Sequence, residues 1–163
     1  MGTPILSLHT STQQTSAHAA LQTVMAAAEK ETLPQAAWEL LVELIYNVYH
    51  HAGARDATDT PWGVEIVPNA ETVELRVFDA GIGIAGEQLP SLFDEPRPSR
   101  HQFRGKGLLS LKRYAESGAV EDAKVSSDGT MVRLTGSYAM VTTIGKPTAG
   151  FDVVAVCRRD GAQ

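Results

Sequence analysis

Two alternating runs constrain this chain most: Val64-Glu65-Ile66-Val67 and Val73-Glu74-Leu75-Arg76-Val77-Phe78, with Pro68-Asn69-Ala70-Glu71 between them. Side chains along a strand point to opposite faces in turn, so the alternation predicts a half-buried β-hairpin. One face needs an apolar cover and the other tolerates water. An antiparallel arrangement meets that demand, provided helices are laid against the apolar side.

The cover lies upstream. From Ser16 or His18 onward, Ala19, Leu21, Val24, Met25 and Ala28 recur at spacings near three and four and run out among Glu29, Lys30 and Glu31, which predicts a helix. Leu33-Pro34 breaks it, and Pro34 suits the first turn of a second helix whose centre is the stretch Trp38 to Ala52, stopped by Gly53. Leu40, Leu41, Leu44 and Val48 give this second helix an apolar face. Glu43, Asn47 and His51 share one ridge, with His50 close to the same line. A carboxylate, a carboxamide and an imidazole on one ridge make either a site or the solvated flank of an amphipathic helix; the stretch alone leaves both open.

Around these pieces, Pro4 to His9 reads as a short edge strand followed by a polar loop. Ala85 to Lys106 is irregular, with three prolines and the cations Arg97, Arg100, Arg104 and Lys106, a length and composition that suit a binding lid. Gly105-Lys106-Gly107 opens a third helix, with Leu108, Leu109, Leu111 and Tyr114 on its buried side until Gly118. Val120 to Ser126 and Met131 to Thr135 flank an Asp128-Gly129 hairpin turn. Tyr138 to Ile144 and Phe151 to Cys157 flank a second turn, and the last six residues read as a frayed tail. The order predicts one domain over 1–163 of the α+β class: a two-layer α/β sandwich with a mixed, mainly antiparallel sheet and helices on one face. Residues 136–163 would form an added hairpin and tail.

Length and composition agree. A chain of 163 residues can bury a continuous core without a staple, and its sole cysteine, Cys157, excludes an intramolecular disulfide and any C-x-x-C metal or redox pair. A formal net charge of -5 argues against broad nucleic-acid binding. The amino terminus lacks the basic start and apolar run of a signal peptide, and no window has the length of a membrane span, so the expectation is a cytoplasmic protein with no membrane partner.

Two further motifs carry chemistry. Asp79-Ala80-Gly81-Ile82-Gly83 places a carboxylate at a strand end before two glycines: an acceptor for an exocyclic amine with room for a flat ring, or a β-turn capped by its own Asp. Gly105-Lys106-Gly107 at a helix start offers backbone amides, the positive dipole end and an ammonium to phosphates, or is simply a hinge and cap. Its spacing is neither that of a P-loop nor that of a dinucleotide fingerprint.

Taken in order, the E-L-x-x-N-x-x-x-H helix (Glu43, Leu44, Asn47, His51), the strand ending in D-x-G-x-G, the lid and the G-x-G-L helix start resemble the GHKL, or histidine-kinase-like, ATPase family and its Bergerat nucleotide-binding fold. The resemblance covers most of the chain. Among stand-alone members, GKGLLSLKRYAESGAVEDAKVSSDGTMVRL and the paired N-terminal helices look most like the anti-sigma-factor serine kinases and related regulatory ATPases. Leu109 departs from the family's G-x-G-L-G-L, and the helical hairpin carrying the phosphoacceptor of a complete sensor kinase is not expected here.

The resemblance implies an ATP or ADP ligand with Mg2+. Glu43 would be the general base and Asn47 the magnesium ligand, with His51 near the phosphates. Asp79 would take the adenine amino group and Gly81 and Gly83 would give the ring room. Arg104, Gly105, Lys106, Gly107 and Leu108 would close on the phosphates, with residues 89–106 as the ATP lid. The late Gly-Thr element of the family would be either Gly129-Thr130 or the stretch Ala149-Gly150-Phe151. The implied activity is that of a protein kinase or ATPase acting in signalling on a partner protein, or of a nucleotide-dependent switch without turnover. The added strands would be a partner or homodimer surface.

Overall fold

The structure, a computed structural model, describes residues 3–29, 32–52, 59–81, 83–84, 86–93, 106–143 and 150–159. Seven strands form one sheet: β1 (Leu6–Ser11), β2 (Pro61–Pro68), β3 (Thr72–Asp79), β4 (Val120–Ser127), β5 (Thr130–Thr135), β6 (Tyr138–Thr143) and β7 (Phe151–Arg158), in the spatial order β1-β2-β3-β7-β4-β5-β6. Every strand pairing in it is antiparallel. Three helices, α1 (Ala17–Ala28), α2 (Gln35–Asn47) and α3 (Lys106–Ser117), complete the second layer of an α+β sandwich.

The predicted alternation holds in the central strands. Val64, Ile66, Val73, Leu75, Val77, Val153 and Ala155 are buried against the helices. On the water-facing side, the Arg76 guanidinium binds Asp152 at 2.8 Å, lies 3.6 Å from Glu65 and stacks 4.3 Å over the Phe78 ring, across three strands. From α2, Leu40, Leu41, Leu44 and Ile45 fill the space above the inner face, joined by Leu111 and Ala115 of α3. Burial pushes the Cys157 thiol up to about 12, which leaves it inert at neutral pH.

Three local features depart from the periodicity. In α1, whose N-cap Ser16 accepts the Ala19 amide at 3.1 Å, the buried row is Ala20, Val24 and Ala27, and Met25 is exposed. In an alanine-rich helix many rows are about equally apolar, so the neighbouring α2 selects the face. The second helix is not α-helical to Ala52: it ends at Asn47, and Val48–Ala52 continue as a π turn. Residues Leu89–Phe93, expected as the start of the lid, form a 3-10 turn that buries Leu89 and Phe93 in the core, with the Lys112 ammonium donating to the Phe93 carbonyl at 3.2 Å.

The largest correction concerns residues 136–163. Their two described strands are not joined as one peripheral hairpin: β6 is bonded to β5, whereas β7 returns to the middle of the sheet between β3 and β4, and residues 144–149 and 160–163 lie outside the described residues. The inner row Val153, Ala155 and Cys157 is apolar, so β7 gains most burial at the centre, under the helices. Nor does the chain fray at Arg159, whose amide donates to Glu71 and whose guanidinium donates to the Asn69 carbonyl.

Candidate functional site

Asp79 is the last residue of β3, set between Trp62 of β2 and Phe151 of β7. Inner-face residues alternate along β3 as Leu75, Val77 and Asp79, so the carboxylate lies on the helix-covered side at the end of an apolar row. Burial pushes its pKa up to about 6, Asp152 adds repulsion, and a hydrogen bond accepted from the Gly81 amide at 2.9 Å acts the other way. The turn with its own Asp as cap is therefore present. The carboxyl is also desolvated enough for a ligand amine to be a favourable partner. A cavity of about 500 Å3 opens at this end of the sheet, with Gln14, Trp62, Phe78 and Asp79 in its wall.

The loop after Asp79 is held from below. The Ser127 hydroxyl, buried at the end of β4, accepts the Ile84 amide at 2.9 Å, and the Asp128 carboxylate accepts the Gly86 amide at 3.0 Å. Gly83 has a φ of +68°, and a Cβ there would meet the Gly150 carbonyl oxygen and the Ser127 hydroxyl, each at 2.7 Å. A side chain at Gly83 is thus excluded by Gly150, just before β7, and by Ser127 at the end of β4. Both sequence candidates for the late glycine element flank this loop: Asp128-Gly129 adopts positive φ at both residues in the β4–β5 turn, and Gly150 packs on the Asp79 backbone.

Across from the strand ends, Glu43 and Asn47 sit one turn apart on α2, both half-buried. Ser110 of α3 donates its hydroxyl to Glu43 at 3.4 Å, so the third helix bears on the expected base. His51 belongs by its backbone to the π turn. Its side chain lies outside the described residues. The turn is pinned by Tyr49, whose hydroxyl donates to the Thr15 carbonyl and accepts from the Trp62 indole at 3.2 Å, with the two rings edge to face at 5.6 Å.

Helix α3 begins at Lys106, as the glycine signal predicts, and Leu108 is buried under its first turn. Arg104 and Gly105, with the remaining lid cations Arg97 and Arg100, lie outside the described residues, as does the Lys106 side chain. The described structure places Glu43 and Asn47 on α2, Leu108 in the first turn of α3, and Asp79, Gly81 and Gly83 at and just after the end of β3. Sequence reasoning missed Ser110 and Tyr49, and the bonds that join Ser127 to Gly150 and to the glycine loop. The Ser-Asp-Gly hairpin signal was readable, but its contact with the glycine loop is a tertiary fact.

Among the described residues no cluster of three or more His, Cys, Asp or Glu side chains is suited to hold a metal ion. A magnesium ion shared with substrate phosphates asks less of the protein: one or two hard oxygen donors and water. The Asn47 carboxamide, with the Glu43 carboxylate one turn away, fits that need.

Residues 32–139, about two thirds of the chain, match the sequence family described as Histidine kinase-, DNA gyrase B-, and HSP90-like ATPase. The match runs from just before α2 into β6 and includes Glu43, Asn47, Asp79 and the α3 start. No curated protein matches the chain.

Proposed function

This chain belongs to the histidine kinase-, DNA gyrase B- and HSP90-like ATPase family, an ATP-binding GHKL-type domain, and from that premise we propose that it transfers the γ-phosphate of Mg-ATP to a hydroxyl of a partner protein. The observation that carries this reading is the placement of Glu43. It stands on α2 one turn before Asn47, contacted by Ser110 of α3, on the helix side of the sheet end that buries Asp79.

In this reading Asp79 accepts the adenine amino group and Asn47 holds the magnesium ion. When bound, that ion neutralises phosphate charge and orients the γ-phosphoryl group for in-line attack. Gly107 and Leu108 bring the amino end of α3 toward the phosphates, with Gly105, Lys106 and Arg104 completing that contact and His51 close by. Glu43 takes the proton from the attacking hydroxyl as its oxygen bonds to the γ-phosphorus. The bond to the β-phosphate oxygen breaks, and ADP leaves. The site works in a reducing cytoplasm on a signalling partner, as a serine kinase of the anti-sigma-factor type would.

Labelled ATP incubated with the chain and a cell extract tests it. Label should pass to a hydroxyl on a discrete protein, and Glu43→Gln should bind Mg-ATP with similar affinity yet transfer none. Phosphate release without labelled protein would replace the kinase by an ATP-hydrolysing switch. Binding without either would leave a nucleotide-reading module, and calorimetry showing no Mg-ATP affinity would overturn the proposal altogether.

A further inference from the structure

The β5–β6 hairpin hangs at one margin of the sheet, and the nucleotide reading uses none of β6. Among the described residues β6 has a bonded neighbour on one side only, β5. All six of its residues are exposed, including Tyr138 at 65 %, Met140 at 50 % and Val141 at 53 %. Such an edge is normally blunted by charge, proline or a bulge. Here the strand, Tyr-Ala-Met-Val-Thr-Thr, has no charged residue and no proline, and its pairing with β5 runs without a register shift.

The turn before it sets which groups face outward. Gly136 has a φ of +60° and Thr135 pairs with Tyr138, the two-residue hairpin with glycine at the first central position. Closing such a turn bonds Tyr138 to Thr135. By the alternation of an antiparallel ladder, Met140 and Thr142 also turn their amides and carbonyls to β5. Ala139, Val141 and Thr143 direct theirs away from the sheet.

We propose that β6 pairs antiparallel with β6 of a second copy of this chain, about a two-fold axis through Val141, so that one sheet runs through both copies. The occupant follows from charge and register. In a chain of net charge -5, a two-fold contact built on charged side chains would set like against like, whereas an uncharged strand meets its own copy without repulsion. Centred on Val141, the outward-facing groups fall into matched bonded pairs: Val141 with its counterpart, and Ala139 with Thr143 in both directions. Between them Met140 comes opposite Thr142, covering apolar surface that β5 leaves open. Neither Glu43 nor Asp79 is on this hairpin, so the inference stands apart from the kinase reading.

Sedimentation equilibrium from low micromolar to several hundred micromolar concentration tests it. The wild-type chain should rise from 17.5 kDa toward twice that mass. Val141→Glu and Val141→Lys, each placing like charges on the axis, should each remain monomeric, and their equimolar mixture should regain the doubled mass. Should a charged variant fail to fold, Val141→Cys provides the check. The bonded pair sets the two Cα atoms about 5.5 Å apart, within disulfide reach, and mild oxidation should link the copies. Cys157 is buried and does not compete. A wild-type chain that stays at 17.5 kDa, variants that keep the wild-type mass, a mixture that is not rescued, or an unlinked Val141→Cys chain would each overturn the proposal.

Discussion

The Ser127 hydroxyl donates to the Gly150 carbonyl oxygen at 2.6 Å while accepting the Ile84 amide at 2.9 Å. One buried side chain from the β4–β5 turn therefore ties the first residue before β7 to the glycine loop that leaves Asp79. The loop's shape is set by strands that arrive some forty to seventy residues later in the chain.

Ser127→Ala removes both bonds in a place that water does not reach, Ser127 being 2 % exposed. Leaving a buried polar group without its partner costs about 1–3 kcal/mol. The denaturant midpoint should fall accordingly with the slope unchanged, and Mg-ATP affinity should weaken with it. An unaltered midpoint would show that the tie contributes nothing.

Gly150 and Gly118 have nearly the same backbone angle, φ +90° and +89°, yet differ in surroundings. A Cβ on Gly118 meets nothing within 4 Å, whereas one on Gly150 falls 1.9 Å from the Asp79 carbonyl oxygen. Gly118→Ala should cost only the left-handed strain, about 1–2 kcal/mol. Gly150→Ala must also push the β3 end aside, and we expect a loss beyond about 4 kcal/mol or failure to fold. Comparable losses for the two in thermal or urea unfolding would contradict the contact.

Asp79 gives two opposite pH dependences. Its folded-state pKa of about 6 lies above the ordinary 3.8, so the folded protein takes up the proton first. Stability without nucleotide should therefore be lowest above pH 6 and rise as pH falls from about 6 toward 4. Adenine binding as proposed, with the carboxylate as acceptor, should weaken over the same fall. Asp79→Asn should flatten the stability profile and lose most Mg-ATP affinity. Melting temperatures and calorimetric titrations between pH 5 and 8 would read both, and a flat wild-type profile would contradict the burial argument.

Much of this was legible locally. The alternation of Val73 to Phe78 required one wet and one covered face, and Leu40, Leu41, Leu44 and Val48 identified the cover, all four being buried. The Glu43 to Asn47 spacing and the Asp79 glycine motif could be picked out as a candidate site because a helical turn and a strand end are short-range geometries. What failed was whatever depended on distant packing. The burial face of α1, the π turn that ends α2 at Asn47, and the anchoring of Leu89 and Phe93 all depend on neighbours far away in sequence.

The clearest division lies in the last third of the chain. Sequence alone determined that the stretches from Tyr138 to Ile144 and from Phe151 to Cys157 hold strands, which the structure bounds as Tyr138–Thr143 and Phe151–Arg158. It could not determine that the second returns to the centre of the sheet while the first is left at the margin. A strand's local preferences are satisfied by any antiparallel neighbour, so the choice falls to the burial available under the helices, and only the assembled tertiary structure contains that quantity.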